Sequence, residues 1–176
     1  GGFDVEMSAT LNIGSTNLTN TIIGVWNKGT VTGDGFACHT ASSSCLRVDG
    51  SATIAEVSST LSAEVIHVYN GGSANIATVT SIFSSADVIV LEDGSIFSGE
   101  IHASGYTRMV RGSGSVAAII TLHSYGTGGV LIEANSLSGL VATVVHVPSV
   151  DSILVGSVDD IELLFETNFH CAGLVP

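Results

Sequence analysis

The chain has 176 residues and a formal net charge of −12, because 16 acidic side chains stand against only four lysines and arginines. So acidic a surface repels nucleic-acid phosphate and anionic lipid, which argues against both as partners. No apolar run reaches the roughly 18 residues of a membrane-spanning helix, so no membrane span is predicted.

Short runs rich in β-branched residues recur along the chain and predict strands. In chain order they are residues 3–5, 22–26, 46–48, 65–69, 88–91, 109–110, 130–132 and 153–155. In most units a glycine or asparagine corner follows the run. A second apolar cluster comes after the corner, as at residues 119–122. Each repeat therefore predicts a strand, a corner and another strand.

A Ser or Thr marks the same point in every repeat. The eight positions are Ser8, Thr30, Ser51, Ser73, Ser95, Ser115, Ser136 and Ser157, in steps of 20 to 22 residues. A unit of this size cannot bury its apolar side alone, so successive units must stack. The sequence predicts an all-β fold: one single-stranded, right-handed parallel β-solenoid (β-helix) of about eight coils, spanning residues 1–176, with the eight Ser/Thr in one column.

The stretch from Gly94 to Ala103, GSIFSGEIHA, resembles a coil of the bactofilins. These are bacterial β-helical proteins that polymerise end to end. The resemblance covers about one coil, and the other coils share only its rhythm. It implies a solenoid and makes assembly through the coil ends an expectation. Phage tailspikes and cell-surface adhesins have the same general architecture.

Cys38 and Cys45 enclose a polar loop in a chain with only three cysteines. The spacing predicts a disulfide-closed loop, 38–45, which favours an extracellular, virion-surface or cell-surface location. Two unrelated thiols, or a metal pair with His39, are the alternatives. The loop is expected to replace a strand and to project from one side. The third cysteine, Cys171, is either a small buried side chain or a cross-link between subunits.

His102, His123 and His146 follow one another at intervals of 21 and 23 residues. Stacked imidazoles can bind a metal or sense pH. Their distances from the preceding Ser or Thr, however, are 7, 8 and 10 residues. This drift favours unrelated polar side chains on an outer strand surface. No metal and no cofactor are predicted.

Three charged residues each lie two positions before their coil's Ser or Thr. They are Glu6, Lys28 and Asp49. Stacking would place them in one column of alternating sign. The pattern predicts a solvated ion ladder that helps to fix the register of the coils.

Enzymes built on solenoids need carboxylates clustered in one groove. The nearest candidates here lie in the last coil: Asp159, Asp160, Glu162 and Glu166. The adjacent coil adds only Asp151, and the nearest arginines, Arg108 and Arg111, lie two coils away. No catalytic residue is therefore predicted, and a polysaccharide-active enzyme is the least favoured class.

The chain is 45% hydrophobic but only 11% charged, which leaves few polar groups to coat a thin rod. Apolar residues should therefore lie on the surface and mark a protein contact. The aromatic candidates for outward positions are Trp26, Tyr69, Phe83, Phe97 and Tyr106. Neither end carries the pattern of a capping helix, so the terminal strands are expected to recruit other chains.

These patterns predict a non-enzymatic structural subunit of an extracellular filament, sheath or surface assembly. Its partner would be itself, through the coil ends and the C-terminal tail, 165–176. The residues expected at that contact are Phe3, Val5, Phe165, Phe169, Cys171, Leu174 and Val175. The alternative is a virion decoration, fibre or adhesin module that forms a lateral trimer.

Overall fold

A computed structural model describes residues 2–82, 87–125, 127–147 and 149–165. Every long regular element in these residues is a β-strand, which confirms the all-β prediction. The strands are β1 (Phe3–Val5), β2 (Thr10–Ile13), β3 (Thr16–Thr19), β4 (Ile23–Asn27), β5 (Thr30–His39), β6 (Ser44–Val48), β7 (Ser51–Thr60), β8 (Glu64–Val68), β9 (Ser73–Ile82), β10 (Asp87–Leu91), β11 (Ile96–Ser104), β12 (Arg108–Ser124), β13 (Thr127–His146) and β14 (Ser149–Phe165).

The strands stack in two parallel ladders. The short-strand face runs in the order β1, β4, β6, β8, β10 and then the first parts of β12, β13 and β14. The long-strand face runs from β2 and β3 through β5, β7, β9 and β11 into the second parts of the same three strands. The chain is therefore a parallel β-solenoid.

The solenoid has about seven turns, slightly fewer than the eight predicted. The predicted Ser/Thr column is correct only in its centre, where Thr30, Ser51 and Ser73 are register partners. Ser73 then pairs with Ile96, one residue beyond the expected Ser95. At the other end, Thr30 pairs with Thr10 and not with Ser8. The corners differ in length, whereas backbone pairing holds the strands in step.

Aliphatic side chains form continuous columns inside the solenoid. On the short-strand face the fully buried members are Val25, Leu46, Ile66, Ile89, Val110 and Ile132, each the register partner of the next. Burying one such side chain contributes about 1.5–3 kcal/mol. Each coil thus gains most of its stability from the coils above and below it.

The long strands β7 and β9 change phase at their centres. In β7 the buried positions Ala52 and Ile54 alternate regularly, but the next buried side chain is Val57. β9 repeats this step between Ile76 and Val79. One extra residue therefore sits at the middle of these strands, and β11 omits it at a register shift after Gly99.

Cys38 and Cys45 form the predicted disulfide, with their Cα atoms 5.8 Å apart. The expectation that loop 38–45 replaces a strand and projects is wrong. Cys38 lies within β5 and Cys45 within β6, and both side chains are buried. The bond therefore closes the corner between two stacked coils from inside the core.

Two of the predicted surface aromatics belong to the core instead. Phe97 and Tyr106 are buried, and the Tyr106 hydroxyl lies 2.6 Å from Ser124 Oγ. Trp26 and Tyr69 are partly exposed on the short-strand face. Phe83 lies outside the described residues. The inward columns thus absorb more of the apolar content than the composition suggested.

Candidate functional site

The core is open at both ends of the described solenoid. Phe3 is the register partner of Val25, so it occupies the first place in the short-strand core column. Phe165 pairs with Val144 at the far end of a long-strand column. Val25 and Val144 are fully buried, yet Phe3 is 42% exposed and Phe165 is 45% exposed. A residue in mid-column is covered on both sides, and these two are covered on one.

The backbone is equally one-sided at the ends. Within the described residues, β1 pairs only with β4, β2 and β3 pair only with β5, and β14 pairs only with β13. In a parallel ladder alternate residues bond to opposite neighbours. Each terminal strand therefore presents a row of N–H and C=O groups along the solenoid axis.

A charged network on the short-strand face surrounds Asp87, whose side chain is only 2% exposed. Asp87 begins β10 and is the register partner of Arg108 in β12. Arg108 donates to it through Nε and also through Nη2 at 3.3 Å, and Arg111 Nε lies 3.2 Å from its other oxygen. The hydrogen bond to Asp87 helps to raise the pKa of Arg108. Two guanidinium groups thus share one buried carboxylate.

Further carboxylates extend this network across neighbouring coils. Arg108 Nη1 donates to Glu133 at 3.2 Å, and Arg111 Nη2 lies 3.9 Å from Glu64. Glu64, Asp87, Arg108 and Glu133 belong to β8, β10, β12 and β13. The network therefore links four consecutive coils. A groove of about 320 Å³ beside it is lined by Glu92, Arg111, Ser113, Glu133 and Asn135, among others.

His67 joins two of these carboxylates. Its Nδ1 lies 3.2 Å from Glu64 and its Nε2 2.9 Å from Glu92, and its ring stacks on Tyr69 at 4.0 Å. Burial alone would lower the pKa of His67, but the hydrogen bonds and negative charges of Glu64 and Glu92 outweigh it and raise the pKa. In turn, the hydrogen bond from His67 lowers the pKa of Glu64.

The histidines of the long-strand face are in register, contrary to what their spacing from the Ser/Thr positions suggested. His102 pairs with His123, and His123 pairs through its backbone with His146. The rings of His102 and His123 are stacked, with centroids 4.4 Å apart and planes within 6° of parallel. The drift of 7, 8 and 10 residues arose from unequal corners and not from the strands.

Glu100 reaches both stacked rings. Its Oε1 lies 3.0 Å from His102 Nε2 and 2.7 Å from His123 Nε2. One ligand atom from each of Glu100, His102 and His123 lies within 4.8 Å of the other two. The Tyr125 hydroxyl lies 3.1 Å from His102 Nδ1. These are the described residues that could hold a metal ion, and the sequence analysis missed Glu100, which precedes His102 by two positions on the same strand face.

The predicted ion ladder forms in part. Lys28 Nζ lies 3.4 Å from Glu6 and 3.3 Å from Asp4. Asp49 instead accepts a hydrogen bond of 2.8 Å from Trp26 Nε1. Lys28 is also 4.3 Å from the centroid of the Trp26 ring. The column is therefore a mixed arrangement of ions and an aromatic ring.

The remaining predicted residues are spread along the chain. Val5 is buried at the first coil. Asp151, Asp160 and Glu162 are exposed. Glu166, Phe169, Cys171, Leu174 and Val175 lie outside the described residues, as does the side chain of Asp159. The arginines considered for catalysis, Arg108 and Arg111, are bound in the Asp87 network.

Comparisons with known proteins identify no relative. No protein-family model matches the sequence, no curated protein is similar to it, and no solved structure matches the fold. The resemblance of residues 94–103 to a bactofilin coil is thus confined to that segment. Among the described residues no helix is long and apolar enough to cross a membrane.

Proposed function

We propose that this protein is a non-enzymatic structural subunit of an extracellular filament, sheath or surface assembly, in which copies stack through their coil ends. The observation that carries the proposal is the exposure of Phe3 and Phe165 at the two ends of otherwise buried core columns. A second copy stacked on either end would cover the aromatic ring as the next coil does elsewhere. Burying one such ring contributes about 1.5–3 kcal/mol.

Backbone pairing supports the same contact. A parallel solenoid has two different ends, and the last coil of one copy can pair in parallel with the first coil of the next. The axial N–H and C=O groups of β14 would then find partners in β1, β2 and β3 of its neighbour. Such a head-to-tail contact is heterologous and does not close on itself, so it generates filaments.

The flanks are less suited to association between copies. Glu56, Asp160 and Glu162 are exposed there, and the chain carries a net charge of −12. Like charges repel copies that approach side by side. The Cys38–Cys45 disulfide supports an oxidising, extracellular setting.

A lateral trimer is the second candidate, because single large apolar residues are exposed on the flanks. Ile119 on the long-strand face is 68% exposed and Ile22 is 73% exposed. A virion decoration, fibre or adhesin module could use such residues to pack side by side. Ile119 lies within β12, away from either end, so it separates the two candidates experimentally.

The test compares Phe165→Lys with the matched control Ile119→Lys by sedimentation velocity and negative-stain microscopy over a range of concentrations. Stacking through the ends predicts filaments for the wild type and for Ile119→Lys. Phe165→Lys should raise the concentration needed for assembly at least about tenfold, because the junction loses an aromatic contact and gains a charge.

Circular dichroism establishes that each variant remains β-structured before assembly is scored. Discrete particles lost in Ile119→Lys and kept in Phe165→Lys would replace the filament proposal with the lateral trimer. A wild-type chain that stays monomeric at high concentration would contradict both. Phe3→Lys repeats the comparison at the other end of the solenoid.

A further inference from the structure

We propose that Glu100, His102 and His123 form a binding site for a divalent transition-metal ion, with zinc as the best match. The three residues lie on two adjacent coils, on β11 and β12 of the long-strand face. The site does not depend on the assembly proposed above. It adds a ligand-binding function to a surface that the sequence analysis assigned to unrelated polar side chains.

The spacing of the donor atoms suits a metal. Zinc binds histidine nitrogen and carboxylate oxygen at about 2.0–2.2 Å, so tetrahedral ligand atoms lie about 3.3 Å apart. Glu100 Oε1 is 3.0 Å from His102 Nε2 and 2.7 Å from His123 Nε2. A small outward rotation of the Glu100 carboxylate brings both distances to the required value. Glu100 is 44% exposed along its side chain, which leaves it room to rotate.

The chemistry of the convergence points the same way. Two imidazole nitrogens and a carboxylate oxygen meet at one place, and His123 Nε2 is shielded from solvent. Lone pairs that converge in this way repel one another unless protons or a cation lie between them. One metal ion would neutralise the carboxylate and accept an electron pair from each ring.

Tyr125 orients the first ring for this role. Its hydroxyl lies 3.1 Å from His102 Nδ1, and the two rings are stacked with centroids 5.8 Å apart. If Nδ1–H donates to the hydroxyl, the lone pair of Nε2 is left facing Glu100. Metal-ligating histidines characteristically donate their second N–H to such an outer partner, which fixes the tautomer.

The strands hold the ligands from below. His102 lies between the buried Ile101 and Ala103, and His123 lies between the buried Leu122 and Ser124. Alternation along each strand then directs both imidazoles outward. Two histidines and one carboxylate leave the fourth tetrahedral position open for water or another donor. Imidazole ligands favour zinc, copper or nickel over magnesium and calcium.

The experiment titrates Zn²⁺ into the chelator-treated, full-length protein by isothermal calorimetry, with Co²⁺ absorption as a spectroscopic readout. We expect one ion per chain, and a visible Co²⁺ band typical of tetrahedral coordination. His123→Gln and Glu100→Gln should each weaken binding at least about 100-fold. Tyr125→Phe should weaken it about tenfold, as loss of an outer partner does.

His39→Gln is the matched control, because His39 is exposed on the long-strand face at the end of β5. It should bind Zn²⁺ like the wild type. The site is disproved if the wild type takes up no ion at stoichiometric concentration. It is also disproved if His39→Gln loses as much affinity as His123→Gln, which would indicate dispersed surface histidines. Glu100 is exposed, so Glu100→Gln tests the site without disturbing the fold.

Discussion

Asp87 shows how much one residue can organise on a surface that carries few positive charges. Its carboxylate is nearly inaccessible to solvent and is bound by Arg108 and Arg111, two of only four basic residues in the chain. A buried carboxylate is stable only when cations and hydrogen bonds replace its water. The pairing also fixes which strand of β12 faces which strand of β10, because a slip of one residue would break it.

The first prediction is that Asp87→Asn lowers the free energy of unfolding by about 2–3 kcal/mol. Removing one partner of a buried pair leaves the other without compensation, and the lower end of the usual range applies because Arg111 is partly solvated. Urea denaturation followed by circular dichroism measures the change. Asp34→Asn, at an exposed position of β5, should shift stability by no more than about 0.5 kcal/mol. Equal midpoints for the two variants would contradict a stabilising role for Asp87.

His67 gives a prediction of pH dependence. Its pKa is raised in the fold, so its protonated form stabilises the protein fully below the unfolded pKa of about 6.5. That contribution is lost as the pH rises through the higher folded pKa. The pKa of Glu64 is lowered, so its contribution is present above about 4.5 and is lost as the pH falls through the lower folded value.

The pair should therefore be strongest near pH 5–6, where both partners are charged. His67→Gln is expected to cost more stability at about pH 6 than at about pH 8.5, measured by urea denaturation at each pH. His39→Gln should show no such trend. A cost for His67→Gln that is the same at both pH values would mean that the protonated ring contributes nothing.

At the scale of the elements, the corners and bends of the strands decide local geometry. Gly33 in β5 has a φ of 146°, and a Cβ atom there would lie 1.9 Å from the carbonyl oxygen of Ile13. Its register partner in the next coil is Ile54, so the requirement belongs to this coil alone. The backbone of β5 approaches β2 more closely at this point than a side chain allows.

We predict that Gly33→Ala lowers the free energy of unfolding by at least about 2 kcal/mol, because both backbone strain and steric overlap oppose it. Gly14→Ala is the matched control. A Cβ atom at Gly14 has no heavy atom within 4 Å, so its effect should stay within about 0.5 kcal/mol. Thermal and urea unfolding of the two variants measure the difference. Similar losses at both positions would contradict this account of β5.

The corners also explain which relations between coils could be predicted. The Ser/Thr positions lie at or beside corners, and the corners vary by one or two residues. Measured from them, His102 and His123 drift apart. Measured along the hydrogen-bonded strands, they are partners. Hydrogen bonds between strands set the register, so a repeat counted from a corner predicts the fold and misplaces the side chains.

At the scale of the whole molecule, the solenoid was predictable because it follows from the period alone. Apolar runs that recur about every 21 residues can be buried only by stacking. The Asp87 network was not predictable, because its members stand 21 to 25 residues apart and no short motif joins them. The Cys38–Cys45 bond was foreseen from spacing, but its buried position depends on where β5 ends and β6 begins.

The buried disulfide also affects how the rod would respond to a pull along its length. A stack of coils drawn apart from its two ends gives up chain one coil at a time, and a coil of about 21 residues releases about 70 Å when extended. Cys38 and Cys45 are held 5.8 Å apart across seven residue steps. The corner that they close therefore withholds about 20 Å of that length. The molecule carries one short step among longer ones, close to its first coil, which marks where along the rod extension has reached.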